Sequence, residues 1–214
     1  MLIQGQTGPL PSAKVAAGSV PTVQAGTYGE LLESRLNADY YTLVKNGLTY
    51  SVSASAISPA AFTGGAAGTP AIGIFNPSSS GKDLVILDAT VGIRTTGTAA
   101  AAIDFNHFAV LQGSVAVTGT ATAPRNMYTL QASGSVATAM VNVVNTAALA
   151  SFAIRPSISV GLTAATAVTN VGAYRDEVKG AIIIPPGGYY AFGAAAAPTA
   201  GSFDITVTWA EVPA

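Results

Sequence analysis

After Asp39 the chain never again sustains the 3.6-residue apolar spacing of a helix. From Tyr40 onward it consists of short β-prone runs separated by Gly and Pro, of which the chain has 23 and 12. The clearest run is Asp83–Arg94, DLVILDATVGIR, where Val85, Leu87, Ala89, Val91 and Ile93 share one apolar parity and predict one buried face. In Ser202–Glu211, Phe203, Ile205, Val207 and Trp209 alternate with Asp204, Thr206, Thr208 and Ala210, predicting a half-buried strand with Trp209 in the core. Further strands are expected over Ala71–Asn76, Ile103–Leu111, Val115–Thr118, Ala148–Ile154, Ser157–Gly161, Ala181–Ile184 and Tyr189–Gly193. Pro156 is expected to break the chain between the fourth and fifth of these, and Pro185-Pro186-Gly187-Gly188 to form a tight turn. Asn46-Gly47, between Tyr40–Lys45 and Leu48–Ser53, has the composition of a two-residue hairpin turn. Residues 162–177 read as a loop ending in the charged run Tyr174-Arg175-Asp176-Glu177. Eight to ten short strands, no alternating helices and no fixed-period repeat predict an all-β fold, a jelly-roll-like β-sandwich.

The sandwich is expected over residues 40–214, preceded by a segment, residues 1–39, of different character. Residues 1–27 carry only Lys14 as a charge and are broken by Pro9, Pro11 and Pro21. They read either as a disordered terminus or as an extended arm laid on a neighbour. Residues 28–39 are the one credible helix: Thr27 can cap it, Glu30 stands three residues on, and Leu31, Leu32 and Leu36 form a short apolar stripe. About three turns do not hold alone in water, so this helix needs a docking surface.

Composition narrows function. Charged residues are 9% of the 214, against about 25% in an ordinary soluble domain. Hydrophobic residues are 50%, mostly small, and net charge is −1. So little charge favours a surface largely covered by other protein chains over its alternative, a monomer solvated by Thr and Ser. The nine basic residues are scattered, which argues against nucleic acid or an anionic membrane as partner. No run of about 20 apolar residues predicts a membrane span, and Met1–Gly18 lacks the features of a secretory signal. With no Cys there is no disulfide or thiolate metal site.

Candidate chemistry is sparse. His107 is the only histidine, no Gly-x-Ser-x-Gly elbow accompanies it, and Asp104 has the opposite parity. It reads as a surface or interface residue. Asn76–Asp83, NPSSSGKD, lacks the first Gly and the final Ser or Thr of a phosphate loop and reads as a turn. Glu30 and Glu33 read as a cap and a solvated face; Asp176-Glu177, beside Arg175 and Lys179, reads as a neutralised loop. Asp83, Asp88, Asp104 and Asp204 could form a carboxylate pair only if the fold brought them together, and the chain has a single Trp to line a sugar cleft. The doublets Tyr40-Tyr41 and Tyr189-Tyr190 are each expected to place one ring inward and one outward with a wet hydroxyl. No catalytic, cofactor-binding or metal-binding residue is assigned, and the chain is expected not to be an enzyme.

The phrases GTYGELLESRLNADYY, IFNPSSSGKDLVILDATVGI, IIIPPGGYYAFGAAAAPTAG and FDITVTWAEVP resemble small virion proteins of tailed bacteriophages, of the capsid cement (decoration) and head-fibre-base type. The resemblance spans Gly26 to Pro213. It implies a non-enzymatic jelly roll, often a homotrimer, assembled in the host bacterial cytoplasm and bound on the capsid exterior. Its partners would be itself and the major capsid protein or another virion protein, with no cofactor, nucleic acid or membrane. The alternative is a receptor- or carbohydrate-binding module of a tail fibre or other adhesion protein; an outer-membrane β-barrel is disfavoured by the missing export signal and aromatic girdles.

Overall fold

A computed structural model of the chain describes residues 40–58, 60–62, 69–95, 101–111, 118–132, 134–144, 152–162, 172–195 and 201–214. The chain divides into two units, Met1–Tyr41 and Thr42–Ala214, and the described residues belong almost wholly to the second. The expected arm and the helix over 28–39 lie outside the described residues.

Residues Tyr41–Lys45 form a single helical turn, α1, where a strand was expected. Asn46-Gly47 is therefore not a hairpin turn but the end of that helix. The Gly47 amide donates to the Val44 carbonyl (2.9 Å) and the Leu48 amide to the Leu43 carbonyl (3.0 Å), with Gly47 at φ +70°. This is the Schellman pattern, whose left-handed residue is normally glycine. The same demand for positive φ that makes Asn-Gly a hairpin signal is met here by a helix cap.

Eleven strands follow among the described residues: β1 Thr49–Ile57, β2 Ile72–Phe75, β3 Lys82–Thr95, β4 Ala101–Leu111, β5 Thr118–Ala121, β6 Arg125–Asn126, β7 Thr138–Val144, β8 Phe152–Leu162, β9 Ala173–Ile184, β10 Gly188–Ala194 and β11 Ser202–Pro213. They form two sheets, in the orders β6-β1-β11-β3-β9 and β5-β7-β2-β10-β4-β8. Four antiparallel pairs are nested: β1 with β11, β2 with β10, β3 with β9 and β4 with β8. A long hairpin folded across itself gives this order, and it is the eight-stranded jelly roll. The insertion between β4 and β8 extends both sheets on one side, β6 beside β1 and β7 with β5 beside β2. On the other side β8 and β9 are the sheet edges.

The core between the sheets is a continuous apolar cluster that includes Val52, Ile74, Ile86, Val91, Phe105, Val160, Phe192 and Trp209. Phe203, Ile205, Val207 and Trp209 of β11 are all fully buried, as their alternation predicts. The opposite face of β11 is wet only at its start: Asp204 is exposed, whereas Ala210 is buried.

On β3 the expected parity holds for half the strand. Ala89, Val91 and Ile93 face the core, but toward the start of the strand it is Leu84 and Ile86 that do so. Leu87 has no register partner on β11, where Thr208 and Trp209 pair with Asp88 and Ile86, nor on β9. A bulge of one residue exchanges the two faces of a strand.

Two further expectations are corrected on the edges. Pro156 does not end a strand; β8 runs through it, with register shifts on either side where it opposes Asn106. An edge strand tolerates a residue without an amide proton. The charged run Tyr174–Glu177 is not a loop but part of β9. Charges on an edge strand oppose pairing with a foreign strand.

A second apolar cluster, Phe62, Phe108, Val143, Tyr189 and Ala191, covers the outer face of the six-stranded sheet. The Phe62 amide donates to the Ala194 carbonyl (2.8 Å), and its ring meets Phe108 edge-on with centroids 4.4 Å apart. Tyr189 lies so close over β2 that a Cβ at Gly73 would stand 2.7 Å from its hydroxyl.

Trp209 carries the largest fully buried side chain of the core. Trp209→Ala is expected to cost about 3–5 kcal/mol of unfolding free energy, measured by urea denaturation followed by far-ultraviolet circular dichroism. A cost under about 1 kcal/mol would mean that the ring is not packed between the sheets.

Candidate functional site

The titratable groups that the fold brings together are His107, Tyr190, Asp176 and Arg155. His107 and Tyr190 project into the sandwich from the adjacent strands β4 and β10, Arg155 comes from the edge strand β8, and Asp176 comes from β9 of the other sheet. His107 Nε2 lies 3.0 Å from Asp176 Oδ2, and Nδ1 lies 2.7 Å from the Tyr190 hydroxyl. Arg155 donates to Asp176 Oδ1 at 2.5 Å. A carboxylate can only accept, so Nε2 carries the proton and donates to Asp176, and Nδ1 accepts from the Tyr190 hydroxyl.

Burial pushes the His107 pKa below its ordinary value, although Asp176 works the other way; Arg155 adds to the lowering. For Asp176, burial favours the neutral acid, but Ser157, His107 and Arg155 outweigh it and hold the carboxyl below the ordinary Asp range. Burial raises the Tyr190 pKa well above 10, and the Asp176 charge adds to this. The resting arrangement is a neutral imidazole between a neutral phenol and a charged carboxylate. It spans the open side of the sandwich, tying β9 of one sheet to β4 and β8 of the other.

His107 is thus not a surface or interface residue within this fold: it is fully buried. Asp104 does point the opposite way, exposed and hydrogen-bonded by the Ser159 hydroxyl. The tyrosine doublet on β10 is also corrected. Both rings are fully buried, because both faces of the six-stranded sheet are covered there. The clasp has the donor order of a catalytic triad, Tyr–His–Asp, but the phenol at its head is wholly enclosed. What the arrangement does chemically is satisfy four polar groups inside the fold.

Three more carboxylates are likewise engaged. Arg175 bridges Asp88 (3.0 Å) and Glu177 (3.5 Å), which are register partners on the outer face of the five-stranded sheet, and Lys179 reaches Glu177 at 2.9 Å. Asp204 accepts from the Ala56 amide at 2.9 Å and faces Arg94 at 3.5 Å. Asp83 is half-buried on β3. Glu30 and Glu33 lie outside the described residues. Of Asn76–Asp83, residues 76–81 form the turn that passes from one sheet to the other and Lys82 and Asp83 begin β3; the Asn76 side chain is buried there, donating to the carbonyls of Lys82 (2.7 Å) and Ile184 (2.9 Å).

Glu211, which sequence reasoning missed, is fully buried. Its carboxylate accepts from the Ser135 hydroxyl (2.5 Å), the Val136 amide (3.1 Å to each oxygen), the Trp209 indole (3.4 Å) and Lys82 (3.3 Å). It fastens the segment leading into β7 onto the end of β11. Its parity with Trp209 is the one sequence signal that could have placed it inside. Among the described residues no group of three or more His, Asp or Glu stands together as a metal site, and no helix is long and apolar enough to cross a membrane.

Comparisons with protein-family models, with curated proteins and with solved structures find no match for this chain.

The clasp makes a pH prediction. An imidazole whose folded pKa is lowered binds fewer protons folded than unfolded, so stability is fully present above about pH 6.5 and falls as pH drops below it toward the folded value. Below about pH 4 the depressed Asp176 adds a second loss in the same direction. His107→Gln, which cannot titrate, should flatten the slope of unfolding free energy between about pH 6.5 and 5. An unchanged slope in urea titrations at four or five pH values would remove His107 as its source. Tyr190→Phe leaves Nδ1 without its donor and should cost about 1–3 kcal/mol.

Proposed function

We propose that the chain is a non-enzymatic virion structural protein of a tailed bacteriophage. In this reading it is a capsid cement or decoration protein that binds the outside of the head as a homotrimer and stabilises it. The observation that carries the reading is the way the jelly roll uses its reactive side chains. Its buried His107 and Glu211 and its part-buried Asp176 hold strands and sheets together and find their partners within the fold. A fold whose buried ionisable groups are committed to its own rigidity suits a load-bearing role. Three things support it further: the jelly roll is an architecture that viral coat proteins use repeatedly; charge is low, at 9%, as expected where surface is shared with other chains; and the sequence phrases resemble such proteins.

Two measurements test the reading. Native mass spectrometry of the purified chain should give three times its 21.2 kDa mass; a species that stays monomeric at micromolar concentration would overturn the trimer. Quantitative mass spectrometry of purified particles should find the chain in hundreds of copies, on the scale of the major capsid protein. About a dozen copies would instead favour the receptor- or glycan-binding reading, and absence from particles would refute both.

A further inference from the structure

We propose that the turn between β6 and β7 is a docking tip for a protein partner whose surface offers an apolar recess edged by carboxylates. Met127, Tyr128 and Leu130 stand there 43%, 51% and 72% exposed, three large apolar side chains within four residues. Soluble proteins seldom display such a cluster without a use for it.

The turn is held in shape. The Asn126 side chain accepts from the amides of Tyr128 (2.9 Å) and Thr129 (3.2 Å) and donates to the Gly47 carbonyl (2.7 Å). The Met127 amide donates to Thr49 of β1, and Leu130 to the Asn126 carbonyl. Leu130 is thereby kept at φ +58°, a conformation that costs a branched side chain energy, yet the side chain it displays is mostly in solvent. The Lys45 ammonium lies 4.9 Å above the Tyr128 ring and donates to its hydroxyl. A pre-ordered tip loses little entropy on binding, which suits a rigid pocket.

Charge selects the occupant. Lys82, Arg94, Arg155, Arg175 and Lys179 each pair with a carboxylate of the same domain. Arg125, at the base of the tip, pairs with none among the described residues; it is exposed and touches only the Leu130 carbonyl, at 3.4 Å. No Asp or Glu occurs between Asp104 and Asp176, so the whole insertion is free of negative charge. The surface is apolar with a cation at its rim, and its complement is apolar with an anion. A second copy of this domain is a poor complement: Asp88, Asp176, Glu177, Asp204 and Glu211 already face cations, Asp104 accepts from the Ser159 hydroxyl and Asp83 is half-buried. The inference stands apart from the virion reading, since it concerns the chemistry of the tip and not where the protein resides.

The test uses the full chain and two synthetic peptides, one alternating Leu and Phe with Glu, the other with Lys in place of every Glu, followed by fluorescence anisotropy. The acidic peptide should bind at least about tenfold more tightly than the basic one. Arg125→Glu should remove the preference, since Lys45 then faces one new carboxylate at the tip, and the triple variant Met127→Ser, Tyr128→Ser, Leu130→Gly should abolish binding of both. The triple variant should melt no lower than the parent, because Gly relieves the positive φ at 130; if it melts lower, Arg125→Glu alone decides. Equal binding of both peptides, no binding of either, or an acidic preference that survives Arg125→Glu would overturn the proposal. Two other results would also overturn it: self-association of the parent chain that the triple variant loses, and tip-dependent binding to phosphatidylcholine–phosphatidylglycerol vesicles without binding to the acidic peptide.

Discussion

The five-stranded sheet depends on β11. It lies between β1 and β3, so neither has its full set of backbone partners until the last strand of the chain has entered between them. The nested pairing makes this general: the earlier the strand, the later its partner. Local contacts therefore stabilise little on their own, and the large loop-closure entropy must be met by one cooperative burial event. Trp209, Val207, Ile205 and Phe203 on β11 supply much of that burial from one strand, fully enclosed by residues from both sheets.

A sandwich of this kind has two open sides, and the chain treats them differently. On one side the insertion adds β6 to one sheet and β7 with β5 to the other; Glu211 and Asn126 fasten it with part-buried hydrogen bonds. On the other side the edges β8 and β9 are joined by side chains: Asp176 of β9 receives Arg155 from β8 and His107 from β4. Polar groups so placed contribute less net stability than apolar packing would, but an unpartnered member would cost more than the bond contributes. A shift of register that separated His107 from Asp176 would incur that cost. The edge charges Arg175, Glu177 and Lys179 meanwhile discourage addition of a further strand.

How much of this was legible in the sequence follows from which constraints are local. Side-chain alternation is local, so β11 and the end of β3 could be read from their apolar parity. The bulge at Leu87 is not: it arises where β3 meets β9 and β11, and nothing in DLVILDATVGIR announces it. Asn46-Gly47 signals positive φ correctly, but whether a hairpin or a helix end uses it depends on Tyr41–Lys45, whose β-branched and aromatic residues favour a strand in isolation. Pro156 ends a strand only where its missing amide proton would be needed, and on an edge it is not. The candidate site was the least legible part. The burial of His107 is decided by Asp176, 69 residues away on another sheet, and by Tyr190, 83 residues away. Charged neighbours in sequence, Asp176 and Glu177, point to opposite faces of β9 and serve different partners, which a reading of the run as one neutralised loop could not separate.

The distribution of charge links these points to function. A chain with few charges can keep them soluble and exposed or commit them to its own fold, and this domain commits most of them. Its carboxylates at 88, 176, 177, 204 and 211 all face a cation of the same domain. The outer surface then carries its exposed charges largely as pairs, such as Arg94 with Asp204, among hydroxyl contacts such as Ser53 to Thr206 (2.8 Å) and Thr95 to Ser202 (2.7 Å). Such a surface is polar enough to stay wet yet carries little charge to desolvate when another protein covers it. The cost of burying it against a neighbour is correspondingly small, because removing ions from water is the largest penalty an interface incurs. Low charge and ion pairing within the domain thus belong together: the five carboxylates that face a cation commit their charge to the domain's own strands.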